Sequence, residues 1–398
     1  MAALTFLEAR ALVLGEVRGI PAITSCLLEE CPGRVLAEDI PTDRDYPPFN
    51  RATRDGFAVR AADLPGQLRV VGEARAGKPF AGIVNPGEAV EIMTGAPVPE
   101  GAEAVVMVEH CTRINEATVA TDRTASPKSN VSPAGSEAPA GAVILKRGIR
   151  LDYTSVSWLA TIGRTSVPVY AEPTVAILST GDEIVGIDEI PSDSQIRNSN
   201  AHALAAQVRR AGAIPAILPI APDDKAATVR LIEQGLKTDL LLLSGGVSAG
   251  KYDFVEPALA ELGAQFYFTE VAIQPGKPVV FGKARGTYFF GLPGNPLSTM
   301  VTFEVFARAA IDLLSGATEA PLPLALAKLT RPFSPKPGLT RFLPAVVKYS
   351  EAKCAEVTPV DWQGSGDIPS LCRANAYMVA DPNQAHYAAG DMIPVLFK

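Results

Sequence analysis

Between residues 173 and 315 short apolar runs alternate with longer amphipathic ones, and this alternation constrains the fold more than any other feature of the sequence. The pattern predicts strands at 174–178, 214–220 and 239–243, and helices at 199–211, 224–236 and 296–314. Such alternation is typical of βαβ units around a mainly parallel sheet. Ligands bind open parallel sheets beyond the carboxyl ends of the strands. We therefore expect a functional site in the loops that follow these strands.

The segments on either side of this α/β region have a different pattern. A helix is predicted over 4–18, from Leu4, Leu7, Ala11 and Leu14 at helical spacing. After it come short β-like runs at 68–71, 89–92 and 104–108, a linker-like loop at 124–140, and a helix near 152–163. A proline-rich boundary is predicted at 319–337, followed by strands at 345–348, 377–380 and 393–397. The chain is thus predicted to be a multidomain α/β plus β protein.

Composition narrows the class of protein. The chain has 398 residues, 47% hydrophobic and 20% charged, which excludes a disordered chain and suggests about two to four domains. Lys and Arg number 36 against 43 Asp and Glu, and the net charge of −7 argues against a nucleic-acid or anionic-membrane surface. The sequence has no signal-peptide pattern, no apolar run long enough to span a bilayer and no CxxC pair, and His110 with Cys111 lacks zinc-site spacing. We expect a cytoplasmic protein with reduced thiols and without nucleic-acid or membrane partners.

Two loops at predicted strand ends carry groups that suit anions or metal ions. Residues 179–183 (STGDE) offer hydroxyls, a glycine and two carboxylates for a phosphate, a ribose or Mg²⁺, although a helix N-cap explains them equally well. Residues 244–253 (SGGVSAGKYD) contain three glycines, whose backbone N–H groups can curl around an anion. Lys251 can add charge there, and Asp253 could hold a metal ion. This second loop favours ligand binding.

Two further loops contain candidate anion donors. Residues 274–278 (QPGKP) hold Lys277 between stiffening prolines, although an ordinary turn could have the same sequence. Residues 291–298 (GLPGNPLS) place Asn295 at the N-cap and Pro296 at the first position of an apolar helix, whose free N–H groups would face an anion site. Four such loops on one sheet are a more specific signal than any one of them.

Other candidates are less specific. Residues 246–250 (GVSAG) match the GxSxG nucleophile elbow of hydrolases, but the downstream histidine could only be His386, and an oxyanion loop is lacking. The loops 49–58 and 362–370 and the strand residue Arg341 read from spacing alone as surface features.

Nine segments occur in one order along the chain: FNRATRDGFA (49–58), VGEARAG (71–77), EIMTGAPVPEGAEAVVMVE (91–109), LSTGDEI (178–184), RNSN (197–200), SGGVSAGKYD (244–253), QPGKP (274–278), GLPGNPLS (291–298) and QGSGDIPSL (363–371). Together they resemble the MoeA family, the molybdopterin molybdenumtransferases, whose eukaryotic relatives include the E domain of gephyrin. The resemblance covers nearly the whole chain.

The resemblance implies an elongated homodimer of four-domain subunits. These are a helical linking domain (1–48 and 140–170), a β-rich insert (49–139), a MogA-like three-layer α/β domain with a parallel sheet (171–316) and a C-terminal β-barrel (317–398). The implied reaction inserts molybdenum from molybdate into adenylylated molybdopterin, with Mg²⁺, and releases AMP. The implied active site lies between the α/β domain of one subunit and the β-rich insert of its partner. Implied protein partners are the molybdopterin adenylyltransferase and molybdoenzyme chaperones.

The resemblance also assigns roles to residues. Asp55 matches the family's essential aspartate, and Glu183 and Asp253 match acidic residues that fit magnesium and pyrophosphate chemistry. The nucleotide or pterin-phosphate loop is matched by Ser244, Gly245, Gly246, Ser248 and Gly250. The positions that cradle molybdate are matched by Lys277, Ser298, Arg341 and Ser365. The other expected substrate-binding residues are Thr180, Gly181, Asp182, Lys251, Pro293, Gly294, Asn295 and Pro296.

The chain departs from the family pattern in the insert, at Asn50, Ala52, Thr53, Arg54 and Ser132. These departures leave open how the first loop engages substrate, and Arg54 offers a replacement phosphate contact. Two alternative functions are kept. A molybdopterin adenylyltransferase would share the α/β domain but not the first 170 residues or the barrel, and a non-catalytic scaffold would retain the whole fold.

Overall fold

A computed structural model describes residues 3–19, 21–246, 254–349 and 354–398. The chain forms two compact units. The larger unit contains Met1–Ala37, Gly148–Val156 and Ser166–Lys398, and the insert unit contains Glu38–Arg147 and Ser157–Thr165. The boundaries of the four expected domains remain a prediction.

Helices form close to the predicted positions. The α-helices of the described residues are Phe6–Glu16, Tyr153–Thr161, Ser199–Arg210, Lys225–Gly235, Val255–Glu261, Pro296–Thr302, Arg308–Leu314 and Ile368–Arg373. Short 3₁₀ turns occur at Leu28–Glu30, Ala61–Asp63 and Val108–His110. A π-helical turn, Phe303–Ala307, joins two of the α-helices, so the predicted helix 296–314 is continuous but has one wider turn.

The N-terminal helix Phe6–Glu16 buries a different face from the expected one. Leu7, part of the expected apolar stripe, is 72% exposed. The residues that are buried instead are Phe6, Ala9 and Val13. Apolar side chains occur on every side of this helix, so their spacing could not select the buried face.

The α/β sheet lies in the larger unit. In spatial order its strands are Ile214–Ile217, Thr174–Ser179, Leu240–Ser244, Thr287–Leu292, Val280–Ala284 and Gln265–Phe268. The first four are parallel neighbours, and Val280–Ala284 runs antiparallel to the strands beside it. The predicted strand 214–220 ends earlier, at Ile217. The mainly parallel sheet is thus confirmed.

Alternate residues of the central strands enter two separate apolar cores. Val175 and Ile177 belong to one cluster, and Ala176 and Leu178 to the other. A strand that is buried on both faces is typical of a sheet with helices on either side. A sheet between two layers of helices is the three-layer α/β domain that the family resemblance implies.

The C-terminal strands close into a five-stranded barrel. They are Leu324–Leu329, Thr340–Tyr349, Ala355–Pro359, Ala376–Ala380 and Met392–Phe397. Thr340–Tyr349 pairs with both Ala355–Pro359 and Ala376–Ala380, which closes the ring. The predicted boundary 319–337 therefore already contains the first barrel strand. The strand Ile273–Gln274 adds to this sheet, parallel to Thr340–Arg341.

The insert unit is built on a six-stranded sheet of its own. Its spatial order is Ala104–Met107, Gly56–Val59, Glu88–Ile92, Gly66–Ala74, Thr118–Thr121 and Thr112–Asn115. The predicted loop 124–140 contains a short strand, Val131–Ser132, paired with Arg51–Ala52.

Three other short strand pairs occur in the described residues: Ile23–Leu27 with Ser166–Tyr170, Ile40–Pro41 with Val143–Leu145, and Ile184–Val185 with Ile196–Arg197. Within the described ranges, no helix has the length and apolar character needed to cross a membrane.

Candidate functional site

Three adjacent parallel strands end at one edge of the α/β sheet. Ser179, Ser244 and Leu292 are partners in register at their carboxyl ends. The backbone holds the loops that follow close together, since Thr180 N–H donates to Ser244 O at 3.2 Å and Gly245 N–H donates to Leu292 O at 3.2 Å. The loops therefore emerge side by side, as the strand–helix alternation predicts.

A polar cavity of about 400 Å³ opens between these loops. The expected site residues that line it are Thr180, Glu183, Ser244, Gly245, Gly246, Pro293, Gly294, Asn295 and Pro296. Gly245 has φ +90°, and a Cβ on it would lie 3.0 Å from Thr180 O. Only glycine fits at this close approach between two loops.

The segment after Ser179 forms a tight turn, so the alternative reading as a helix N-cap is wrong. Gly181 is buried there with φ +134°, and a Cβ on it would lie 2.3 Å from a carboxylate oxygen of Glu183. Asp182 does not line the cavity; its Oδ1 accepts a hydrogen bond from Asp223 N–H at 3.0 Å. Glu183 is thus the carboxylate of this loop that faces the cavity.

Sequence reasoning missed the polar residues at the start of helix Ser199–Arg210. Asn198 is its N-cap, and its Oδ1 accepts from Ala201 N–H at 3.2 Å and from Ser179 Oγ at 3.0 Å. Asn200 contacts two of the cavity loops. The signal was present in the segment RNSN, because a helix needs one capping side chain and this segment carries two asparagines.

A second cavity, of about 920 Å³, adjoins the first and shares Pro278, Pro293 and Asn295 with it. It contains the four residues expected to cradle molybdate: Lys277, Ser298, Arg341 and Ser365. Lys336, which sequence reasoning missed, adds a third cation. No Asp or Glu occurs among its described lining residues. In a chain of net charge −7, this local excess of positive charge favours an oxyanion.

Arg341 is anchored within this second cavity. Its Nε and Nη2 both donate to Lys336 O, at 3.2 and 2.8 Å. Burial lowers the pKa of its guanidinium, which still stays charged because an arginine pKa lies far above neutral. The arginine therefore positions the loop that carries Lys336 and keeps Nη1 for another acceptor. Lys277 Nζ lies 3.2 Å from Glu270 in a half-exposed ion pair.

Gly276 precedes Lys277 in a tightly packed part of the QPGKP loop, and its substitution tests how much this packing contributes to stability. It has φ +103°, and a Cβ on it would lie 2.4 Å from Thr302 Cγ2. Gly276→Ala should lower the free energy of unfolding by about 1–3 kcal/mol more than Gly286→Ala, since overpacking adds to the backbone strain. Gly286 is the matched control because it has φ +92° and nothing within 4 Å. Equal losses in urea unfolding would show that the close packing at Gly276 is unimportant.

The helix that starts at Pro296 is less open to an anion than expected. Asn295 is at the N-cap and Pro296 at the first position, as predicted, but the Asn295 side chain makes no capping hydrogen bond. Leu297 N–H donates to Ser365 O at 2.9 Å. The expectation of free N–H groups at this end is therefore wrong for Leu297, whose donor a barrel loop has taken. The Asn295 side chain, which makes no capping hydrogen bond, lies where the two cavities adjoin.

Asp55 lies in the insert unit, directly before a strand. Its Oδ1 accepts from Thr94 N–H and from Thr94 Oγ1, both at 2.6 Å. These bonds hold the pKa of Asp55 below its usual value. The next residue must be glycine, because a Cβ at Gly56 would lie 1.9 Å from Val106 O and any side chain would force the strands apart. Asn50, one of the departures from the family pattern, accepts from Ala134 N–H at 3.1 Å.

Four expected site residues lie outside the described residues: Ser248, Gly250, Lys251 and Asp253. The hydrolase reading also depended on Ser248. Its only candidate base, His386, lies in the barrel with Nδ1 2.9 Å from Ser334 Oγ. Among the residues that the structure describes, no group of three or more His, Cys, Asp or Glu side chains could hold a metal ion.

Three family models match consecutive parts of the chain. They are described as MoeA N-terminal region (domain I and II), residues 4–163, probable molybdopterin binding domain, residues 176–312, and MoeA C-terminal region (domain IV), residues 326–398. A molybdopterin molybdenumtransferase of Bacillus subtilis is 37% identical over 384 residues, covering 93% of this chain and 88% of the relative. One of Staphylococcus aureus is 32% identical over 397 residues, covering 98% and 94%.

Solved structures of the molybdopterin biosynthesis MoeA protein of Pyrococcus horikoshii share the whole fold. One is 28% identical with a TM-score of 0.81 and covers 100% of both chains. Another is 30% identical with a TM-score of 0.75 and covers 99% of both. Fold, cavities and relatives together define a transferase of molybdenum cofactor biosynthesis. The chain belongs to the MoeA family. The matches at both ends do not favour the adenylyltransferase alternative.

Proposed function

We propose that this transferase inserts molybdenum from molybdate into adenylylated molybdopterin and releases AMP. The adjoining cavities carry the proposal: a polar one at the strand ends and a cationic one beside it, with Asn295 at their junction. The family relatives named molybdopterin molybdenumtransferase support it. Both substrates are anions, a molybdate dianion and a pyrophosphate ester. Molybdate must come into contact with the adenylylated molybdopterin, so their binding sites must adjoin.

The cationic cavity suits molybdate. Lys277, Lys336 and Arg341 bring positive charge there, and the hydroxyl groups of Ser298 and Ser365 add hydrogen-bond donors. Charge-assisted hydrogen bonds to an oxyanion are about twice as strong as neutral ones. The described lining includes no Asp or Glu, and the one carboxylate paired with a lining cation is Glu270, 3.2 Å from Lys277 Nζ. We assign molybdate to this second cavity.

The strand-end cavity suits the pyrophosphate of the second substrate. Gly245 and Gly246, both with positive φ, turn the backbone at the end of a buried strand. Such turns present N–H groups to phosphates. The pyrophosphate would then lie beside the molybdate cavity, with its AMP as the leaving group. This placement brings the two reacting groups together without a long transfer path.

Mg²⁺ fits the donor set of the strand-end cavity. Glu183, Thr180 and Ser244 offer hard oxygen ligands there, and Mg²⁺ in such sites is held by one or two carboxylates together with substrate phosphates. Asp253, the other expected ligand, is outside the described residues. When bound, the ion would polarise the phosphoanhydride and stabilise the leaving AMP.

The remaining finer assignments rest on the resemblance. We propose that Asp55 acts in this reaction as an ionised carboxylate, because the two hydrogen bonds from Thr94 lower its pKa and make it a weaker base. We also propose that the protein is a homodimer, that it acts in the cytoplasm, and that it receives its substrate from the molybdopterin adenylyltransferase and passes the product to molybdoenzyme chaperones.

A quantitative assay tests the function. Purified protein, Mg²⁺ and adenylylated molybdopterin should release AMP only when molybdate is added, in a one-to-one ratio with the cofactor formed. The control replaces molybdate with sulfate, a tetrahedral dianion that cannot form the cofactor. AMP release without molybdate, or ATP consumption with unadenylylated molybdopterin, would contradict the proposal.

A further inference from the structure

Asn200 is hydrogen-bonded to two of the loops that line the strand-end cavity. It is the second residue of the helix Ser199–Arg210 and is 9% exposed. Its Nδ2 donates to Ser244 Oγ at 2.9 Å and to Gly294 O at 2.7 Å. Ser244 ends one central strand, and Gly294 follows the neighbouring one. One amide group therefore spans the gap between two separate loops.

The orientation of this amide is fixed by its partners. Gly294 O can only accept, so the –NH₂ group and not Oδ1 must face it. In this orientation Oδ1 is buried and has no hydrogen-bond partner among the described residues. An unpaired buried acceptor costs free energy, and native structures rarely keep one. The unpaired Oδ1 therefore lowers the net contribution of the two Nδ2 hydrogen bonds to fold stability.

The two loops also lie close together. A Cβ added to Gly294 would lie 3.6 Å from Gly245 Cα, in ordinary van der Waals contact. About one methyl group therefore fits between them at this point, and a shift in either loop changes the shape of the cavity. Misplacing a reacting group by about 1 Å can cost about 100-fold in rate.

We propose that Asn200 is a positioning residue, which sets the separation of the Ser244–Gly246 and Pro293–Asn295 loops for the reaction. It acts through the backbone carbonyl of Gly294 and the hydroxyl of Ser244, and its effect on turnover rests on the proposed function. Asn200 does not line the cationic cavity itself, but the Pro293–Asn295 loop lines both cavities. Loss of Asn200 should therefore lower kcat and raise the KM for molybdate by a smaller factor.

Two variants and one control test this role. Asn200→Ala should lower kcat for AMP release about 10- to 100-fold at every pH, with a smaller effect on the KM for molybdate and an unfolding midpoint lowered no more than in the control variant. Asn200→Asp keeps the shape, but its ionised form cannot donate. Its kcat should be low at pH 8 and recover as the pH falls and a proton returns to the carboxyl group. Asn375→Ala is the matched control, since its Nδ2 donates to Val347 O at 2.9 Å in the barrel, away from both cavities.

Amide hydrogen exchange separates failure of this inference from failure of the proposed function. In ligand-free Asn200→Ala protein, the amides of residues 244–246, 294 and 295 should exchange faster than in the wild type, and those of the control variant should not. This measurement requires no substrate. Unchanged exchange, or an Asn200→Ala variant with wild-type kcat, would overturn the positioning role. Absence of AMP release from the wild type would overturn the proposed function alone.

Discussion

Arg341→Ala should raise the molybdate concentration needed for half-maximal AMP release about 10- to 100-fold. The substitution removes a cation from the second cavity, and a hydrogen bond to a charged group contributes about 1.5–3 kcal/mol. It also releases Lys336, whose carbonyl accepts from both Nε and Nη2 of this arginine. A rise in KM with little change in kcat is expected, since the interaction is made with bound molybdate.

A control substitution and a conservative substitution show whether the rise in KM comes from the second cavity. Arg331→Ala is the matched control, because Arg331 also donates to a barrel carbonyl, Pro359 O, at 2.8 Å but lines neither cavity. Arg341→Lys should recover only part of the affinity, since a lysine retains the charge but lacks the planar fork that holds one oxygen with two donors. If Arg341→Ala and Arg331→Ala have the same KM for molybdate, the second cavity is not the molybdate site.

Asp55→Ala should lower kcat about 100-fold, with little change in stability relative to its control. Thr94 donates twice to Oδ1, and Oδ2 has no hydrogen bond within the described residues, so an ionised oxygen remains to be used. Loss of an interaction with a charged group is expected to have an effect of this size. Asp55→Asn should not restore activity, because it keeps the shape but loses the charge.

The pH dependence offers an independent check on Asp55. Its pKa is lowered chiefly by the hydrogen bond from the Thr94 hydroxyl, so the carboxylate stays ionised into acidic solution. Thr94→Val should raise the pKa towards the usual value of about 3.9, and the acid limb of kcat should move to higher pH. Asp63→Ala is the control, because Asp63 accepts from Gly87 N–H at 3.0 Å in the same unit. A strain that lacks this transferase should grow under conditions that require the molybdenum cofactor when it expresses the Asp63→Ala variant, and should not grow when it expresses Asp55→Ala. Growth with both variants would favour the scaffold alternative.

The strand-end loops could be predicted because local sequence encodes them. A buried apolar run followed by Ser-Gly-Gly or Leu-Pro-Gly leaves few conformations other than a turn at the end of a strand. Parallel pairing then places all such turns at one edge of the sheet. Glu183, Ser244 and Gly294 line one cavity for this reason.

The cationic cavity could not be derived from local sequence. Lys277 and Arg341 meet because Gln274 and Arg341 are partners in a parallel pair between segments far apart in the chain. Spacing along a single sequence carries no signal for such a pair, and the family resemblance alone indicated it. Lys336 was missed because the prolines around it read as a domain boundary, and Asn200 because an asparagine at a helix start reads as a cap.

The strand Ile273–Gln274 has a consequence for how this chain could be shortened or rearranged. It follows the α/β sheet in sequence but hydrogen-bonds to the barrel, and the barrel returns a carbonyl, Ser365 O, to the helix that starts at Pro296. A protein that ended near residue 316 would lose the partner of this strand and leave the QPGKP loop unsupported. The cationic cavity therefore requires the barrel and the α/β domain in the same chain, since residues from both line it.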